Sequence, residues 1–177
     1  MNPKILITGL PRSGKSTLIA KLMNYFILEK NLAIHGFLTP EVRSQGERIG
    51  FDIQDIFSKE KVQFARVGTH NTLYKLGKYK VFVEGLENTI QTIQDTPLHE
   101  IDLVIIDEIG KMELFSEKFV DFIKQIFNTN LSIIATIGSK LKHSIKDHLL
   151  NLPNVKLFVL ERINFQKTYQ DIISMIE

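Results

Sequence analysis

The chain has 177 residues, 44% of them hydrophobic and 24% charged, with a formal net charge of +2. This is the composition of an ordinary globular protein, long enough for one domain over residues 1–177 with a core of its own. So small a net charge, with no block of like charges, gives no electrostatic reason for a nucleic-acid or membrane partner. Cysteine is absent, no apolar run approaches the roughly eighteen residues of a membrane span, and the N-terminus lacks the apolar core of a signal peptide, so the expected address is the cytoplasm.

The first predicted element is a buried strand, "KILIT", from Lys4 to Thr8. Gly9-Leu10-Pro11-Arg12-Ser13-Gly14-Lys15-Ser16-Thr17 follows it, and then Ile19, Leu22, Met23 and Phe26 recur at helical spacing. Strand, loop and helix fit the pattern G-x-x-x-x-G-K-[ST], which arises by chance in about one chain in a hundred of this length. The chemistry needs these residue types. Gly9 and Gly14 let successive backbone N–H groups curl around an anion, Lys15 reaches the outer phosphates, and Ser16 offers a hydroxyl to magnesium. The helix adds its positive N-terminal end. Gly9 to Thr17 is therefore the expected phosphate-binding stretch.

Next comes "IHGFLTPEVRSQGERIGFDIQDI", where two partly alternating runs flank Ser44-Gln45-Gly46, as in a hairpin. "KVQFARV" and "YKVFV" are further strand candidates, separated by the polar stretch from Gly68 to Lys78. "IDLVIID" is a near-continuous apolar run ending on Asp107, as expected of a central parallel strand. After it Phe119, Phe122, Ile123 and Ile126 mark a helix, "LSIIATI" a buried strand, residues 139–150 a helix and "VKLFVL" a last strand. Tyr169, Ile172, Ile173 and Ile176 mark the terminal helix. The alternation predicts a three-layer α/β sandwich of the P-loop class, with a mainly parallel sheet and an antiparallel hairpin extension, and with Asp107 near the phosphate-loop strand.

Asp107, at the end of a buried strand, is the expected magnesium ligand together with Ser16, reaching the ion through water. Glu108 follows at once and suits a group that polarises water beside a γ-phosphate. With Lys15 these two acids form the candidate catalytic set. "DEIG" also satisfies the D-x-x-G of switch GTPases, but Lys111 stands where their water-orienting Gln would be, and no Asn-Lys-x-Asp occurs. A nucleoside or nucleotide kinase shares the loop and the sheet and is the enzymatic alternative; a nucleotide-gated binding module is the other.

At "DEIGKMELFS", Asp107 to Ser116, the sequence resembles the small nucleoside-triphosphatases of archaea and thermophilic bacteria, whose animal relative is called cancer-related nucleoside-triphosphatase. The likeness extends to the phosphate loop, "GFLTPEVRSQGERIGFDI", "LGKYKV", "ATI" and an Asn near the terminal helix. It implies magnesium-dependent hydrolysis of several nucleoside triphosphates to diphosphate and phosphate. The chain departs from that pattern at Lys75-Leu76-Gly77, where the family has Arg-Val-Gly, and at Asn164-Phe165, where it has Asn-Arg.

Phosphoryl transfer to water calls for a further positive group at the γ-phosphate. Arg43, Arg48, Lys111 and Arg162 are the candidates, each also readable as a solvated charge. Thr136 is a candidate γ-phosphate sensor or simply a β-former at a strand end. The five histidines fall in no metal-ligand spacing. Phe37, Phe51, Phe64 and Phe82 are expected in the core, and one of them or Tyr79 remains open as a contact for the nucleobase.

Overall fold

The computed structural model describes residues 2–177. Lys4–Thr8 forms strand β1, buried along its whole length, and Lys15–Leu28 forms helix α1. Ile34–Leu38 is β2, Glu41–Ser44 is β3 and Glu47–Asp55 is β4. Lys61–Val67, Tyr74–Leu76 and Tyr79–Val81 are β5, β6 and β7, followed by helix α2 at Val83–Asp95. From there strand and helix alternate: β8 (Leu103–Ile109), α3 (Glu117–Phe127), β9 (Ser132–Ile137), α4 (Ser144–Leu150), β10 (Val155–Val159) and α5 (Phe165–Ile176).

All these strands join one sheet in the order β10-β1-β9-β8-β2-β4-β5-β7-β6, with β3 paired to β4. β10, β1, β9, β8 and β2 run parallel to their neighbours, and the direction reverses between β2 and β4. Side chains alternate between the two faces of each strand, and this divides the core. Ile5, Ile7, Leu103 and Ile105 pack with Leu18, Leu22 and Phe26 of α1 and Ile172 of α5. Leu6, Val104, Ile106 and Ile133 face the opposite way, against α2, α3 and α4. Covering both faces is what allows the parallel strands to be apolar throughout. The expected three-layer α/β architecture is present, and among the described residues no helix is long and apolar enough to cross a membrane.

The structure refines the sequence reading in three places. The turn at Gln45-Gly46 does close a hairpin, between β3 and β4, with φ of 51° and 81° at its two residues, the left-handed pair that a two-residue hairpin turn requires. The first expected hairpin arm, however, breaks at Thr39-Pro40. Its first part, β2, lies parallel to β8, because Ile34 and Phe37 are buried on opposite faces of the sheet. The strand expected at 79–83 stops at Val81, and helix α2 begins two residues later. Leu86, Ile90 and Ile93 give it a buried face. The polar stretch before β7 contains the short strand β6, which closes a second small hairpin with β7.

Candidate active site

The loop between β1 and α1 is shaped to receive an anion. Gly14, the residue before the first helical turn, has φ of 99° and no side-chain cap, and α1 has no acidic residue in that turn. The N–H groups that every helix leaves unpaired at its start are thus free of local acceptors. Ser13 Oγ is buried without a hydrogen-bond partner, as a donor lining an anion cradle would be. Lys15 folds back over the loop, its ammonium donating to the carbonyls of Gly9 at 2.8 Å and Leu10 at 3.1 Å. These are neutral acceptors that a phosphate can replace. Leu10, Pro11 and Arg12 of the loop, and Ser16 and Thr17 in the first turn of α1, are exposed.

Asp107 stands at the end of β8, one strand removed from β1 across β9. Ser16 Oγ donates to Asp107 Oδ2 at 3.3 Å, and Thr136 Oγ1, from the end of β9, donates to Oδ1 at 2.6 Å. The backbone is fastened as well: Thr39 Oγ1 donates to the Asp107 carbonyl at 2.6 Å. Burial raises the proton affinity of Asp107, and the hydroxyls of Thr136 and Ser16, together with Lys15, act against it. Thr136 thus positions Asp107 here and does not project toward the loop on its own. A hydroxyl and a carboxylate oxygen side by side suit a small hard cation that takes one or two protein oxygens and completes its shell with phosphate and water. Among the described residues no three His, Asp or Glu side chains are gathered as a cage for an ion.

Glu108 follows through a cis peptide bond. Burial raises its carboxyl above the usual range, Asp107 adds to the rise, and Lys15 opposes it. Sequence reasoning missed a third acid beside it, Glu113, which is 3% exposed. A Cβ placed on Gly110 would meet Glu108 Oε1 at 2.6 Å and Glu113 Oε2 at 2.7 Å, so both carboxylates converge on the bare face of this glycine. Burial pushes the Glu113 carboxyl well up, Glu108 pushes it further, and the backbone N–H groups of Glu113 and Gly110 pull it back. The available signal was an acid three residues after a glycine, inside the apolar "KMELF".

The candidate cations are dispersed. Arg43 donates to Glu41 Oε2 and to the Gly46 carbonyl, and Arg48 donates to Tyr79 Oη and Glu41 Oε1, both at 2.9 Å. Both hairpin arginines are thus engaged within the antiparallel extension. Lys111 and Arg162 are exposed. Phe37 and Phe64 are fully buried and Tyr79 is nearly so, which removes them as base contacts and leaves Phe51 and Phe82 half-buried.

A family model described as NTPase matches residues 4–173. The chain belongs to this nucleoside-triphosphatase family. Nucleoside-triphosphatase THEP1 of Archaeoglobus fulgidus is 35% identical over 98% of this chain and 99% of its own length. THEP1 of Thermotoga sp. (strain RQ2) is 38% identical over 98% of this chain and 95% of its own. Among solved structures, THEP1 from Aquifex aeolicus has a TM-score of 0.81 at 33% identity, covering 98% of this chain and 99% of its own. A human cancer-related nucleoside triphosphatase also has a TM-score of 0.81, at 29% identity, covering 99% and 97%. The fold is that of the P-loop nucleoside-triphosphatases, and the protein is an enzyme of that class, a nucleoside-triphosphate phosphatase.

Proposed function

We propose that this nucleoside-triphosphatase hydrolyses ATP, GTP and other nucleoside triphosphates to diphosphate and phosphate, with magnesium and with weak base selectivity. The observation that carries the reading is the line Lys15, Ser16, Asp107, Glu108 along one edge of the parallel sheet. Its ends supply a phosphate cradle and a carboxylate whose proton affinity burial has raised.

In the proposed mechanism the loop N–H groups of Leu10, Arg12, Ser13 and Gly14 and the N-terminus of α1 hold the β- and γ-phosphates, with Thr17 closing the cradle. Lys15 leaves the Gly9 and Leu10 carbonyls for the phosphate oxygens. Ser16 and Asp107 would hold magnesium, which when bound neutralises charge on the phosphates. Glu108 accepts a proton from the attacking water as the new P–O bond forms and the bond to the diphosphate oxygen breaks. Its raised basicity suits that task. The cysteine-free composition supports a cytoplasmic address, and the single continuous sheet supports one domain over 1–177.

Incubation with magnesium and each triphosphate, alone and with nucleosides or nucleoside monophosphates, tests this. Phosphate release without any acceptor is expected. Turnover that needs an acceptor would make the protein a kinase, and binding without turnover a nucleotide-gated module. No guanine-reading Asn-Lys-x-Asp occurs, so rates for ATP, GTP, CTP and UTP should differ by about tenfold or less, roughly 1.4 kcal/mol in the transition state. A preference of roughly a thousandfold for one base contradicts weak selectivity.

A further inference from the structure

The mechanism above uses only the backbone N–H of Arg12, and the backbone there is unusual for an arginine. Ser13 N–H donates to the Leu10 carbonyl at 3.1 Å, closing a four-residue turn with Pro11 and Arg12 at its centre. Proline at the second position and a positive φ at the third, 66° at Arg12, make a type II turn, whose third position favours Gly and, after it, Asn. Arginine holds this left-handed backbone against the preference of its Cβ. In a ligand-binding loop, a residue kept against its backbone preference points to its side chain as the reason.

That side chain is uncommitted. Arg43, Arg48 and Arg66 each meet a carboxylate, whereas the exposed Arg12 side chain, like that of Arg162, has no hydrogen-bond or ion-pair partner among the described residues. Of these two, only Arg12 belongs to the phosphate loop. Lys15 acts on both Asp107 and Glu108, and Arg12 acts on neither. The two cations of the loop therefore serve different ends of it. Lys15 serves the end with the acids, where the γ-phosphate belongs, and Arg12 the end away from them.

We propose that the Arg12 guanidinium binds the phosphates on the nucleoside side of the cleaved bond, the pair that leaves as the diphosphate. The inference rests on the phosphate-loop reading above and adds a side-chain contact to it. A guanidinium presents paired N–H donors that match two oxygens of one phosphate, which an ammonium does not. When the bond between the γ-phosphorus and the bridging oxygen breaks, its electron pair stays on that oxygen, and negative charge gathers on the leaving diphosphate. Arg12 stabilises that charge without giving up a proton. The contact persists after the γ-phosphate has gone, so it holds the product as well as the substrate.

Arg12→Gly and Arg12→Asn give the test, because both residues suit the left-handed turn and both remove the guanidinium. The thermal midpoint of each should stay near that of the parent or rise. Magnesium-ADP, measured by calorimetry, should bind each variant about tenfold more weakly than the parent. Single-turnover hydrolysis of magnesium-ATP should slow by about 10–10²-fold, less than for a buried donor at the reacting oxygen because this side chain is exposed. The dependence of that reaction on enzyme concentration gives the affinity for ATP. ADP bound at the parent affinity by either variant overturns the proposal while the loop reading stands; if only Arg12→Gly is weakened, the effect is loop flexibility and not charge. Weaker ATP binding with unchanged ADP binding also overturns it, because the guanidinium would then lie at the γ-phosphate. If the parent protein binds neither ADP nor ATP, the loop reading fails and the role of Arg12 with it.

Discussion

Across the parallel half of the sheet, from β10 to β2, charge at the strand ends is unmatched. Glu113 is buried, Asp107 and Glu108 are partly so, none of the three has an ion pair among the described residues, and Lys15 is spent on backbone carbonyls. Across the antiparallel half, the arginines meet carboxylates: Arg43 and Arg48 pair with Glu41, and Arg66 donates to Asp52 at 2.5 Å. Unpaired buried carboxylates cost stability, and a protein keeps them where a ligand completes them. On the proposed mechanism the parallel half is the half that a ligand completes, whereas the arginines of the antiparallel half already have their carboxylates.

Among the cations, the largest effect should come from removing Lys15, the one that opposes the raised proton affinity of Asp107 and Glu108. Lys15→Ala should lower hydrolysis by about 10²–10³ while the thermal midpoint stays near that of the parent, since in the free protein the ammonium bonds only to loop carbonyls. Steady-state phosphate release and thermal melting check both parts.

A smaller effect is expected across the divide. Arg48 is held by Glu41, by Tyr79 Oη and over the rings of Phe51 and Tyr79. Arg48→Ala should cost about 1 kcal/mol or less in stability, a few degrees of thermal midpoint, and change kcat by no more than about threefold. A loss of kcat of roughly a hundredfold would mean that the hairpin delivers this guanidinium to the phosphates, and the contrast between the halves would fall.

The smallest effect sharpens the contrast, and it lies in stability against pH. Burial raises the Glu113 carboxyl, so the folded protein binds that proton more tightly than the unfolded chain does. The stability this provides is complete below the unfolded value, about 4.3, and is lost as pH rises toward the folded value. Glu113→Gln keeps the shape and removes the titration. Its thermal midpoint should therefore rise relative to the parent as pH increases from 4 to 8, ending about 2–4 °C higher. A gap independent of pH would show that Glu113 does not titrate in this range.

How much of this the sequence disclosed follows from the kind of signal each part carries. The loop, Asp107 and Glu108 were legible because phosphate and magnesium chemistry needs particular residue types at short fixed spacing. The convergence of Glu108 with Glu113 was not, because it depends on a turn that brings an acid back over Gly110. Helix α2 was hidden by its own entry: the apolar residues before Glu84 continue the pattern of β7, although Leu86, Ile90 and Ile93 carry helical spacing. β2 read as a hairpin arm because alternation along a strand says nothing of the direction of its neighbour, and only the pairing with β8 decides it. Arg43 and Arg48 remained candidates in the sequence because their shared partner Glu41 becomes visible only when β3 and β4 are paired.

Single-turnover hydrolysis of magnesium-ATP by Glu108→Gln, alongside a titration of its binding, tests most directly whether this edge of the sheet cuts the phosphate it holds. Gln keeps the size of the side chain and cannot take the proton from water. Affinity close to that of the parent, with hydrolysis slower by about 10²–10⁴, is the predicted result; hydrolysis at the parent rate by a folded Glu108→Gln protein would contradict the assignment of water activation to this residue.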